Sequence, residues 1–158
     1  MSSDSADREV VISRTINAPR ELVFEVFTEV RHLSQWWGPA GFSTKTRSFE
    51  FRVGGDWDFV MHGPDGTEYQ EWITFSEIDP PERIALMHGE ARNDPNAFAS
   101  VLTFEPEGDQ TRIVMYTLFP TKELRDEAVE KYHAIEAGEQ TVDNLAAYVA
   151  ELTQKGQN

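Results

Sequence analysis

The chain has no cysteine among its 158 residues, which excludes disulfides, thiolate nucleophiles and cysteine-held zinc and fits a cytoplasmic location. It is also poor in positive charge. Lys plus Arg number 14 against 28 Asp plus Glu, a formal net charge of -14, and such a field repels phosphate backbones and anionic lipid head groups. Nucleic acid and membranes are therefore not expected as partners. Met1 to Asp7 is polar, with no basic n-region or apolar h-region, and no apolar run reaches the roughly 18 to 20 residues of a membrane span. His32, His62, His88 and His133 are scattered, with no HExxH pair, so no metal site is expected. Walker, GxSxG and GxGxxG patterns are missing too. Gly54-Gly55 is left as a turn, and neither a cofactor nor a motif-borne catalytic residue is expected.

What remains is a chain that can fold: 39% of it is hydrophobic and 11% aromatic. Its length suits one domain, burying roughly 70% of the unfolded surface. The expected organisation is a disordered tail over 1–7, a single domain over 8–153 and a frayed tail over 154–158. Val10, Ile12 and Ile16 share a strand phase, and Asn17-Ala18-Pro19 then supplies a helix start. Leu22, Val23, Val26, Phe27 and Val30 mark one buried helical face, followed by a short helical turn stopped by Trp36-Trp37-Gly38-Pro39.

From Phe42 to Phe119 the period is two. Phe49, Phe51 and Val53 alternate, Gly54-Gly55 turns, and Trp57, Phe59 and Met61 alternate again. Tyr69 to Ile78, Arg83 to His88, Phe98 to Phe104 and Thr111 to Phe119 continue an antiparallel meander. After Pro120 helix returns, with Thr121 as a cap. In the last segment Val142, Leu145, Val149 and Leu152 form a stripe, joined by small Ala146 and Ala150. Gly138 there costs about 1 kcal/mol against Ala unless close approach requires it. The sum is an α+β domain whose sheet wraps a terminal helix.

This order, with Ile16-Asn17-Ala18-Pro19, Trp36-Trp37-Gly38-Pro39, Arg52-Val53-Gly54-Gly55, Gly63-Pro64-Asp65-Gly66, Ile78-Asp79-Pro80-Pro81-Glu82-Arg83-Ile84, Ser100 to Phe104 and Thr121 to Asp126, resembles the START-related helix-grip (SRPBCC) superfamily. More narrowly it resembles the bacterial homologues of the heat-shock-protein-90 ATPase activator. The resemblance covers about Arg8 to Leu152. It implies a curved sheet of about six or seven strands around a long C-terminal helix, with two short helices after the first strand and an apolar cavity between sheet and helix.

By alternation and helix phase, the expected ligand-binding residues are Phe49, Phe51, Trp57, Phe59, Met61, Tyr69, Ile73, Phe75, His88, Phe104 and Met115 on strands, Gly138, Val142, Leu145, Ala146 and Val149 on the last helix, and Trp36 and Trp37. Of the two adjacent indoles, one is expected inside and the other at the cavity mouth or surface, where it could seed a weak homodimer of an otherwise monomeric protein. Three functions compete. The first is binding of a small hydrophobic or aromatic molecule. The second is a chaperone accessory module, although seven residues before Arg8 cannot form the separate chaperone-binding domain of the better-known activators. The third is a cyclase, dehydratase or hydrolase using His62, His88, Glu50 or Glu71.

Overall fold

In the computed structural model, which describes residues 6–156, seven strands form one antiparallel sheet. They are β1 (Glu9–Ile16), β2 (Ser43–Phe49), β3 (Asp56–His62), β4 (Glu68–Asp79), β5 (Arg83–Gly89), β6 (Phe98–Glu107) and β7 (Gln110–Leu118). Across the sheet they run β1-β7-β6-β5-β4-β3-β2, so consecutive hairpins lead from β2 to β7, and β1 returns beside β7. Helices α1 (Arg20–Glu25) and α2 (Val30–Trp36) carry the chain from one sheet edge to the other, while α3 (Lys122–Glu130) and α4 (Ala134–Gly156) follow β7. The expected helix-grip α+β architecture is present, with α4 along the concave sheet. Of the expected tails, residues 1–5 and 157–158 lie outside the described residues.

Local sequence accounts for the elements. On β1, Val10 and Ile16 are buried while Val11 stands in solvent, the period of a half-covered strand. The helical run after Pro19 is divided in two: Thr28 Oγ1 donates to the Glu25 carbonyl at 2.7 Å, and the chain restarts as α2 from Glu29. Thr121 caps α3 by accepting the Leu124 N–H at 3.1 Å. Val142, Leu145 and Val149 bury the stripe of α4.

One strand differs from expectation. The alternation Phe49, Phe51, Val53 reads as β, yet β2 ends at Phe49 and residues 50–55 form the connection. Glu50 N–H donates to Asp56 O, Gly55 N–H donates to Arg52 O, and Gly54 takes φ +83°. The loop is then stitched to β4 by Gly54 N–H to Phe75 O and Phe75 N–H to Gly55 O. Phe49 and Phe51 still turn inward, stacked 6.2 Å apart, whereas Val53 is exposed.

The core fills one end of the strands, from Ile16 of β1 and Ile113 of β7 through Phe104 of β6 and Ile84 of β5 to Ile73 of β4 and Trp57 of β3. Trp57 stacks on Phe59 with centroids 3.8 Å apart, and Phe104 takes Phe24 and Phe27 edge-on at 5.2 and 5.3 Å. Such pairs add about 0.5–1.5 kcal/mol each beyond the apolar area they bury. Among Phe27, Trp37, Trp57, Phe75 and Leu86 only about 10 Å³ is open to a water-sized sphere, room for one water at most. This half of the molecule is solid.

Candidate functional site

The hollow lies at the other end of the sheet. A cavity of about 600 Å³ opens between β1, β7, β6 and β5 on one side and α3 with the first turns of α4 on the other. Val10 and Ile12 of β1, Met115 and Thr117 of β7, and Phe98 of β6 form the floor; Leu124 and Ala128 of α3 form the roof with Ala134 and Gly138 of α4. Met61, Phe42, Pro39 and Tyr69 close the far wall. No residue of α3 is fully buried. A helix whose apolar stripe covers empty space cannot bury it against the sheet, so α3 is a roof and not part of the core.

Gly138 shows why the roof meets the floor on one side only. A Cβ built there would run into Ile12 Cδ1, so the absent side chain lets α4 approach β1 closely and seal that edge. Beyond it the space widens under α3.

Two polar groups face this apolar room together. His88 Nε2 and Glu71 Oε1 are 2.8 Å apart, with both side chains largely buried. Residues directly opposite in an antiparallel pair share a face, and His88 stands opposite Ile73, two residues along β4 from Glu71. A bulge between Phe75 and Glu77 sets that register. Without the extra residue the pairing from the β4–β5 turn would place Thr74 opposite His88 and turn Glu71 to the other face. Because a carboxylate only accepts, Nε2 carries the proton, and Nδ1 of a neutral His88 is left as an acceptor. A histidine oriented in this way can receive a hydrogen bond or a proton from a bound molecule.

The rim is acidic. Glu90 and Asp94, in the β5–β6 loop, and Glu127 on α3 line it beside Asn96 and Tyr132, and no Lys or Arg belongs to the lining. Asp94 accepts the backbone N–H groups of Glu90 and Asn96, each at 2.9 Å. These two bonds, against a smaller opposing effect of burial, hold its carboxyl below the usual carboxylate value.

Of the expected binding residues, Met61, Tyr69, His88, Met115 and Gly138 line the cavity. Trp36, Trp57, Phe59, Ile73, Phe75, Phe104, Val142, Leu145 and Val149 are buried hydrophobic residues, with Trp37, Phe49, Phe51 and Ala146 packed against the core. Both indoles turn inward: Trp36 donates to Val26 O at 3.2 Å, and Trp37 lies 5.2 Å from Trp57 and 6.4 Å from His88. Neither offers the exposed ring on which the expected dimer contact rests. Among the nominal acid–base groups, His62 pairs with Glu68 at 3.1 Å and Glu50 with Arg52 at 3.4 Å, all near the surface. Only His88 and Glu71 are brought together inside.

Phe42, Phe98, Phe119, Leu124, Ala128 and Tyr132 were not among the expected residues. Leu124 and Ala128 of α3, with Tyr132 just past its end, fall at i, i+4 and i+8, which is the sequence signal that could have found them. Among the described residues no group of three or more His, Asp or Glu is placed to hold a metal ion. No described helix is long and apolar enough to cross a membrane.

Comparison with known proteins agrees with the fold. The family described as activator of Hsp90 ATPase homolog 1-like protein matches residues 17–150. A solved structure of a Nitrosomonas europaea protein is similar at 22% identity and a TM-score of 0.84, covering 94% of this chain and 98% of its own. One from Arthrobacter aurescens is 24% identical with a TM-score of 0.84, over 94% of this chain and 89% of its own. The AHSA1 protein from Silicibacter pomeroyi is 21% identical with a TM-score of 0.73, over 90% and 97%. No curated protein matches the chain.

Proposed function

Because the chain belongs to the family of activator of Hsp90 ATPase homolog 1-like proteins over residues 17–150, we propose that it uses this fold to bind a small hydrophobic or aromatic molecule between the sheet, α3 and the start of α4. The single observation that carries this reading is the cavity of about 600 Å³, within the range of roughly 300–1,000 Å³ that small-molecule sites occupy. Its walls are mostly aliphatic and aromatic, and one buried polar pair, His88 with Glu71, can fix the orientation of a guest. The rest of the interior is packed solid, so the hollow is a local property of one end and not general looseness.

The test is titration with Nile red, a neutral dye that fluoresces in apolar surroundings. Wild-type protein should take it up saturably. Ala128→Trp, which puts an indole from the roof into the space, should weaken uptake by at least about tenfold, or about 1.4 kcal/mol, with unchanged circular dichroism. Ala146 packs on the core instead of facing the cavity, so bulk there tests folding and not occupancy. Undiminished uptake by Ala128→Trp would refute the reading. Native mass spectrometry of freshly purified protein should show an apolar molecule carried along.

The family's description supports a second reading, a module that contacts a chaperone and raises its ATP turnover. Saturating protein added to a bacterial Hsp90-type chaperone should then increase ATP hydrolysis; an unchanged rate disposes of this reading without touching the first.

A further inference from the structure

The cavity has a charge of one sign at its open end and apolar surface elsewhere. Glu71 stands inside, paired to His88; Glu90 and Glu127 stand at the rim with no ion-pair partner among the described residues; Asp94 is held ionised by two backbone N–H groups. Of the nearby cations, Arg92 is drawn to Asp56 at 3.2 Å, and Lys131 lies over the Tyr132 ring, 5.3 Å from its centroid, without belonging to the lining. Beside these carboxylates the mouth presents aromatic faces: Tyr69 and Tyr132 are both more than a third exposed, and Phe42 leans on Tyr69 at 5.9 Å.

A carboxylate or phosphate entering here would give up water for a lining that offers it four carboxyl groups and no Lys or Arg. A protonated amine would gain on both counts, because carboxylates attract it and ring faces stabilise a desolvated ammonium. Resting on the ligand-binding reading above, we infer that the cavity selects, among amphipathic molecules of equal apolar length, those ending in a protonated amine over those ending in a carboxylate or phosphate. The apolar part occupies the space under α3, and the ammonium sits between Glu71, Glu90 and Glu127.

The experiment is competition against bound Nile red by decylamine, decanol and decanoate, at neutral pH and below micelle formation. Decylammonium should displace the dye at a concentration at least about tenfold lower than decanoate, with decanol between. Glu90→Gln with Glu127→Gln, both exposed, should bring amine and carboxylate to within about threefold of each other while leaving decanol unchanged. Decanoate competing as well as the amine overturns the inference, and so does a preference unaltered in the double variant. An amine preference that persists in Ala128→Trp belongs to the acidic surface and overturns it too. Failure of wild-type protein to take up Nile red would instead refute the binding reading on which the inference rests.

Discussion

Gly138 of α4 and Ile12 of β1 meet so closely that even one methyl on the glycine would overlap Ile12 Cδ1. That contact seals one edge of the cavity, and the δ-methyl of Ile12 is the movable part of it.

For Gly138→Ala, the gain in helix propensity of about 1 kcal/mol opposes the cost of displacing Ile12. Open space lies beside Ile12 in the cavity it lines. Denaturant titration should therefore show a stability change of less than about 1 kcal/mol, while Nile red affinity falls several-fold as the methyl swings inward. Ile12→Val added to Gly138→Ala should restore the affinity. A loss of stability above about 3 kcal/mol would show that α4 itself is forced off the sheet.

Phe104 and Met115 separate the solid half from the hollow one. Phe104 is 1% exposed among Phe24 and Phe27, and Phe104→Ala should cost about 3–5 kcal/mol. Met115 already borders empty space, so Met115→Ala should cost less than about 2 kcal/mol, below the usual range for a packed methionine. Midpoints of urea unfolding at equal m-value measure both.

His32 and Tyr148 tie α2 to α4 through a 2.7 Å contact between Nδ1 and the phenolic oxygen, and His32 Nε2 is buried without a hydrogen bond, 3.8 Å from Glu29 Oε2. Burial raises the Tyr148 hydroxyl above its usual pKa, keeping its proton in place. Tyr148→Phe strands the second ring nitrogen and should destabilise by about 1–3 kcal/mol. His32→Leu combined with Tyr148→Phe should recover at least half, which a double-mutant cycle reads directly.

Asp94 gives a pH signature. Its carboxyl is depressed below 3.8, first by the Glu90 N–H and then by the Asn96 N–H, so it ionises more readily folded than unfolded. The stability it contributes is complete above the unfolded value and is lost as pH falls through the lower folded value. The stability gap between wild type and Asp94→Ala should therefore be constant near neutrality and narrow below about pH 4. A gap that widens in acid contradicts the assignment.

Much of the fold is legible because alternation and helical phase are local. Val10 and Ile16 against Val11, the stripe Val142, Leu145, Val149, and the Thr121 cap all follow from nearest neighbours along the chain. Phe51 and Val53 mislead because alternation continues through a connection whose shape is set by Gly54 and by bonds to Phe75 on another strand. The cavity is harder to read for a similar reason. Leu124, Ala128 and Tyr132 mark an apolar face, but whether it meets side chains or empty space depends on how far α3 stands from β1 and β7. The approach of Glu71 to His88 depends on one extra residue between Phe75 and Glu77. Sequence alternation counts both strands correctly and still cannot say where the pairing slips.

The solid aromatic end has a consequence for variation. Trp57, Phe59 and Phe104 belong to the core and not to the cavity lining, Leu124, Ala128 and Thr117 belong to the lining and not to the core, and Met61 and Met115 border both. On the ligand-binding reading, folding and selectivity then fall largely on separate sets of positions. A lineage can exchange the second set to accommodate a new guest while the scaffold that carries it stays as it was.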